Sequence, residues 1–198
     1  MNRKRNYEES MTTILYVHGF GSRYDQTNEK VLALSELGEV HGIDIDYSVP
    51  HDVIVSILKE TIQDNEIDLI VGTSFGGFWA AEIGSSLGIP FVAINPVIHP
   101  VIQMSNRIGS GTTYYGEPYT ITQATADSYP ETIATNGAGL VLLDEADDVL
   151  PAAPTMDMLD SCYEVIIFEG GNHRFAHIAE SIEHIQRFAN SADFIYSL

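Results

Sequence analysis

Apolar residues along the chain fall into short unbroken runs separated by longer stretches in which they recur every three or four positions. The runs are TILYV (13–17), VHGID (40–44), DLIVG (68–72), PFVAIN (90–95), GLVLLD (139–144) and EVIIFE (164–169). A strand with one wet face alternates apolar and polar positions, whereas unbroken β-branched runs suit strands covered on both faces of a parallel sheet. The segments between them, 28–37, 53–64, 77–87, 126–135 and 178–190, carry helical spacing, and several end in Gly or Asn. Strands and helices therefore alternate, which predicts an α/β fold with a doubly wound, mostly parallel sheet of about six strands.

One stretch breaks the rhythm. Residues 97–125 are rich in Gly, Pro and Tyr and sustain no period, which is long for an ordinary connection and predicts a lid or a pocket wall. The regular pattern starts after Met11, so residues 1–10 (MNRKRNYEES) read as an extension outside a single domain spanning 11–198. The following MTTILYV is too short for the apolar region of a secretion signal, and no run approaches a membrane span.

Composition sharpens this picture. The 198 residues, 44% of them apolar, suffice for one sizeable core. A formal net charge of −19 repels nucleic acid and anionic membrane surfaces, so neither is an expected partner. Cys162 is the only cysteine, which precludes an intrachain disulfide and suits a reducing, cytoplasmic setting.

Chemistry concentrates at strand ends. GTSFG (72–76) places Ser74 between two glycines, at the corner where a predicted strand turns into a predicted helix. This is the nucleophile-elbow pattern: the glycines let strand and helix approach, the serine takes a strained conformation, and the helix aims amides and a partial positive charge at its hydroxyl. The first strand runs into HGFGS (18–22), where α/β-hydrolases carry an oxyanion donor, so the amides of Phe20 and Phe75 are candidate oxyanion-hole donors. His18 itself reads as a packing residue of that loop. LLDEADDVLP follows the fifth strand; Asp147 fits the triad acid by loop position, with Asp144 belonging to the strand and Asp148 in reserve. EGGNHRF follows the last strand and puts His173 in a loop before the final helix. His173 and His177 have helical metal-ligand spacing but lack the Glu of H-E-x-x-H, so no metal is expected. The order Ser74, Asp147, His173 is that of α/β-hydrolases.

ILYVHGFGS, DLIVGTSFGGFWA, INPVIHP, DEADDVL and GGNHRF together resemble the YqiA-like family of small, lid-poor α/β-hydrolases. The resemblance covers most of the chain from Met11 onward. It implies esterase activity and marks Ser74, Asp147 and His173. Ala146 stands where that family has Gly before the acid, and SRYDQ replaces a shorter Ser-rich continuation of the HG loop.

The expected chemistry is hydrolysis of a small-molecule ester or thioester through an acyl-enzyme. An acyltransferase on the same triad, or an inactive binding protein on this scaffold, are the alternatives. No cofactor is expected, because G-x-G-x-x-G after the first strand and a Walker lysine are both missing. Within 97–125, Met104, Ile108, Tyr114, Tyr115 and Tyr119 could line an acyl pocket or cover the sheet. Basic residues are scarce beyond Met11, yet Arg23, Arg107 and Arg174 fall in segments expected at the mouth of the site. Arg23 and Arg174 are candidates for holding an anionic substrate group.

Overall fold

The computed structural model describes residues 12–195, with side chains to residue 191; the extension expected at residues 1–10 lies outside them. Six strands form one parallel sheet: β1 (Thr12–Val17), β2 (Gly38–Gly42), β3 (Leu69–Thr73), β4 (Phe91–Ile94), β7 (Gly139–Asp144) and β8 (Glu164–Phe168), in the order β2-β1-β3-β4-β7-β8. Successive side chains on a strand face opposite ways, so two cores form. Leu15, Val17, Ile70, Ala93, Val141 and Leu143 face one core with helices α2 (His51–Asn65), α3 (Phe75–Leu87) and α6 (Ala152–Leu159). Ile14, Tyr16, Val71, Ile94 and Leu142 face the other with α1 (Glu29–Leu34) and α7 (Ile178–Ile195). This two-sided burial is why the inner strands β1, β3, β4 and β7 read as unbroken apolar runs, whereas the edge strands β2 and β8 are only partly buried.

The central helix α3 follows GTSFGGFWAAEIG, whose small residues let it lie close against the sheet. A Cβ on Gly84 would crowd Phe91 and the Ile89 carbonyl. The helix ends at Gly88, whose φ of 70° closes it with an N–H bond to the Gly84 carbonyl.

The aperiodic stretch is built of pieces too short to show a period. It holds α4 (Pro100–Ser105) and an antiparallel hairpin of β5 (Gly109–Thr112) and β6 (Pro118–Ile121). The hairpin pairs only within itself and is tied to the main body where Tyr114 N–H donates to the Gly21 carbonyl at 2.9 Å.

The helix expected over 126–135 is not formed. Only α5 (Gln123–Asp127) is helical; Pro130 biases Tyr129 away from helical geometry, and the chain continues as a loop held by Ile133 N–H to the Ile98 carbonyl, 3.0 Å. Tyr129 and Ile133 are buried all the same, so their apolar spacing served a packed loop. Conversely α6 forms behind Pro151 and accommodates Pro154 in its first turn, where no intrahelical donor is needed. No helix among the described residues is long and apolar enough to cross a membrane.

Candidate active site

Ser74 stands between β3 and α3 with φ 59° and ψ −119°, a conformation that non-glycine residues adopt at a cost of about 1–3 kcal/mol. Its neighbours make the corner possible. A Cβ on Gly72 would run into the Gly76 carbonyl, and one on Gly76 into the Val17 carbonyl. The corner is held by the Ser74 N–H bond to the Ile94 carbonyl, 2.9 Å, and by the Val97 N–H bond to the Ser74 carbonyl, 3.1 Å. Strand β4 and the chain leaving it thus fix the serine from both sides.

Three elements bring their side chains to this corner. His173 Nε2 lies 3.0 Å from Ser74 Oγ, and His173 Nδ1 lies 2.8 Å and 3.0 Å from the two carboxylate oxygens of Asp147. Asp147 is buried, and its Oδ1 also accepts the amides of Val149 and Leu150 at 2.8 Å each. A carboxylate accepting from those amides leaves His173 Nδ1 the donor role, so Nε2 is free to accept from the serine hydroxyl.

A second buried carboxylate organises the loop that carries His173. Asp144, the last residue of β7, accepts the Asn172 amide at 2.9 Å and the Ala176 amide at 2.7 Å, and its other oxygen lies 2.7 Å from His177 Nδ1. His177 in turn stacks on Phe168, ring centroids 5.1 Å apart. Gly171 has φ 76°, and a Cβ there would strike Asp144. Asn95, at φ 41°, completes the frame: its Oδ1 accepts the Asp144 amide at 2.9 Å and its Nδ2 reaches the carbonyls of Asn172 and His173 at 3.1 and 3.3 Å. Asn95 stood in the sequence only within INPVIHP, and His177 only for its metal-ligand spacing with His173. His173 and His177 are taken by different carboxylates, so the spacing of a metal pair serves two separate dyads.

The HG loop forms the facing wall. His18 is 1% exposed; its Nδ1 donates to the Gly19 carbonyl at 2.8 Å, and its Nε2 accepts the Ile45 amide at 2.9 Å. Burial lowers its pKa, opposed by the Gly19 hydrogen bond. His18 is scaffolding, and its tautomer is fixed. Tyr47 hydroxyl donates to the His18 carbonyl at 2.5 Å. Gly19 sits so near the serine that a Cβ there would lie 3.2 Å from Ser74 Cβ. Among the described residues, neither the Phe20 nor the Phe75 amide donates to a backbone carbonyl of a turn, loop or cap.

Ser74 and His173 open into a cavity of about 760 Å³. Its lining includes the apolar side chains of Phe20, Tyr114, Tyr115 and Val149 and the polar ones of Tyr16, Glu29, Lys30, Asp148 and Arg174. The three arginines expected at one rim do not converge. Arg174 lines the cavity. Arg23 lies outside the lining, 3.9 Å over the ring of Tyr115, and borders a separate cleft with Asp25 and Asp44. Arg107 is turned onto the ring of Phe20 at 4.8 Å and bonds Gln103. Of the apolar candidates, Met104 is wholly buried in the core beneath, while Tyr114 and Tyr115 face the cavity. Lys30 was not foreseen here: a lysine in NEKVLAL reads as a solvated helix residue.

Comparison with known proteins identifies the family and the fold. The model of the family described as "Uncharacterised protein family (UPF0227)" matches residues 13–190. A UPF0227 protein of Yersinia pseudotuberculosis is 32% identical over 181 residues, covering 88% of this chain and 97% of that protein. Est1E from Butyrivibrio proteoclasticus superposes with a TM-score of 0.69 at 13% identity, over 94% of this chain and 90% of that one. A monoacylglycerol lipase of Paleococcus ferrophilus does so with a TM-score of 0.65 at 13% identity, over 91% and 94%. The chain belongs to the UPF0227, YqiA-like family, and its fold is that of the α/β-hydrolases.

Proposed function

We propose that this UPF0227 member is a serine hydrolase cleaving carboxylic esters or thioesters of small molecules. The observation that carries this reading is the 3.0 Å approach of His173 Nε2 to the hydroxyl of Ser74, a serine held at φ 59°. In the first half-reaction Ser74 Oγ attacks the carbonyl carbon while its proton passes to His173 Nε2. The carbonyl π pair moves onto oxygen, where the Phe20 and Phe75 amides stabilise it. The tetrahedral intermediate then collapses, the bond to the leaving group breaks, and the Nε2 proton goes to the departing alkoxide or thiolate. Water, deprotonated by His173, attacks the acyl-enzyme; a second collapse frees the carboxylic acid and returns the proton to Ser74. Asp147 holds the imidazole in the tautomer that this sequence needs and stabilises the imidazolium that forms. The relation to a monoacylglycerol lipase by fold supports an ester substrate. The single cysteine, unpaired and exposed, supports a cytoplasmic setting.

The test is labelling by a fluorophosphonate probe, which phosphonylates an activated serine. Wild-type protein should label and release acid from short p-nitrophenyl esters, and Ser74→Ala should do neither while remaining folded. Labelling that persists in the alanine variant would sink the assignment.

A further inference from the structure

Helix α1 carries an inversion that packing alone does not explain. Its sequence, EKVLAL, buries Lys30, whose side chain is 6% exposed, and leaves Leu32 55% exposed. Burying an ammonium is costly unless a partner offsets the loss of water. The carboxylate beside it, Glu29 at 3.6 Å, stands at the outer edge of hydrogen-bonding reach on a side chain that is 69% exposed. Lys30 lines the cavity of Ser74 and His173, together with Arg174. Burial depresses the lysine's pKa; Glu29 and, more weakly, Asp144 oppose that, and the Arg174 guanidinium adds to it. Two cations thus line the substrate cavity, and the carboxylate paired with Lys30, Glu29, is itself largely exposed to water.

The geometry points to a cationic subsite, Lys30 backed by Arg174, that holds an anionic carboxylate or phosphate group on the leaving-group part of the substrate. This rests on the hydrolase reading. The leaving-group side is assigned because Arg174 lines the same cavity as His173, whose Nε2 would give the departing atom its proton. The apolar side chains of Tyr114, Tyr115 and Val149 are left for the acyl chain. A compact ammonium and a planar guanidinium suit an anion better together than either alone, since one supplies a point charge and the other a paired donor edge. Glu29 and Asp148 also line the cavity, and the whole molecule is strongly acidic. An anion that misses the subsite is therefore repelled, which turns the lysine into a selectivity device rather than a general attractor.

Two acetyl thioesters decide it, one of 3-mercaptopropionate and one of its methyl ester, which differ in leaving-group charge. Wild type should favour the anionic thioester in kcat/KM by at least about tenfold, the scale of one charge-assisted contact. Lys30→Met, close to isosteric, should lower that preference at least about tenfold, and Lys30→Arg should restore most of it. The exposed Arg174→Gln should lower it less. Equal losses on both thioesters in Lys30→Met, or no preference in wild type, would overturn the subsite while leaving the hydrolase reading intact. Calorimetric titration of both compounds into Ser74→Ala, with and without Lys30→Met, reads the subsite without turnover. Tighter binding of the anion that needs Lys30 would sustain it even if Ser74 proved not to be a nucleophile; equal binding of the two would refute it.

Discussion

Asp144 Oδ1 lies 2.7 Å from His177 Nδ1, a second carboxylate–imidazole pair that has no hydrogen bond to Ser74. The neighbouring pair, Asp147 and His173, reaches the serine. An acid that ends β7 and one from the loop after it thus serve two histidines of another loop, one pair directed at the hydroxyl and one at the backbone that supports it.

The two acids should separate experimentally. Asp147→Asn keeps an acceptor for the Val149 and Leu150 amides but favours the wrong imidazole tautomer, so kcat should fall by up to about 10⁴-fold in a folded protein. Asp144→Ala strips the Asn172 and Ala176 amides of a buried acceptor and should cost about 3 kcal/mol or more of stability. Denaturant unfolding beside ester kinetics checks this; a stable Asp144→Ala with the larger kinetic defect would reverse the two roles.

The strained corner has a thermodynamic signature. Ser74→Gly removes the side chain that disfavours φ 59°, so it should abolish turnover yet raise stability by about 1 kcal/mol, less the lost bond to His173. A lower melting temperature for Ser74→Gly than for Ser74→Ala would show that no strain is relieved there.

The cavity wall and the core beneath it should respond differently. Tyr114 is 81% exposed, so Tyr114→Ala should change stability by less than about 0.5 kcal/mol while shifting acyl-length preference. Met104 is fully buried, and Met104→Ala should cost about 2–5 kcal/mol. Melting curves and a series of p-nitrophenyl esters from acetate to decanoate separate the two; an unchanged preference in Tyr114→Ala would assign the hairpin to coverage alone.

His18 gives the fold a pH dependence of definite sign. Burial depresses its folded pKa, whereas in the unfolded chain it binds a proton below about 6.5. The unfolded state therefore holds more protons as pH falls below that value, and stability declines, by at most about 1.4 kcal/mol per pH unit. His18→Asn should be less stable than wild type at pH 8 but should lose less on going to pH 5. Parallel pH profiles of the two proteins would exclude His18 as the source.

What could be read from sequence followed from how local the cause is. Residues 69–73 and 139–144 declared themselves as covered strands because both their faces are apolar and buried, and Ser74 did so because the elbow needs glycine on either side. The hairpin was silent: GSGT in β5 is largely exposed and offers no apolar alternation. Tyr129 and Ile133 misled, since burial in a loop leaves the same spacing as burial on a helix. Lys30 and Leu32 show the opposite failure, where periodicity assigns the apolar residue inward and tertiary context buries the lysine. Asp144 read only as the end of its strand, which it is; its further role was hidden because its partners, Asn95 and His177, are distant in sequence and meet it only in the fold.

The frame that Asn95 builds, receiving the Asp144 amide and donating to the carbonyls of Asn172 and His173, sets a timetable for the nascent chain. Ser74 and its corner depend on β1, β3 and β4, all of which leave the ribosome early. The histidine loop cannot be seated until β7 has docked against β4 and the residues after β8 have followed. During synthesis the polypeptide would therefore carry Ser74 before His173 can be seated beside it, and under the proposed chemistry reactivity would arrive with the last elements to be made.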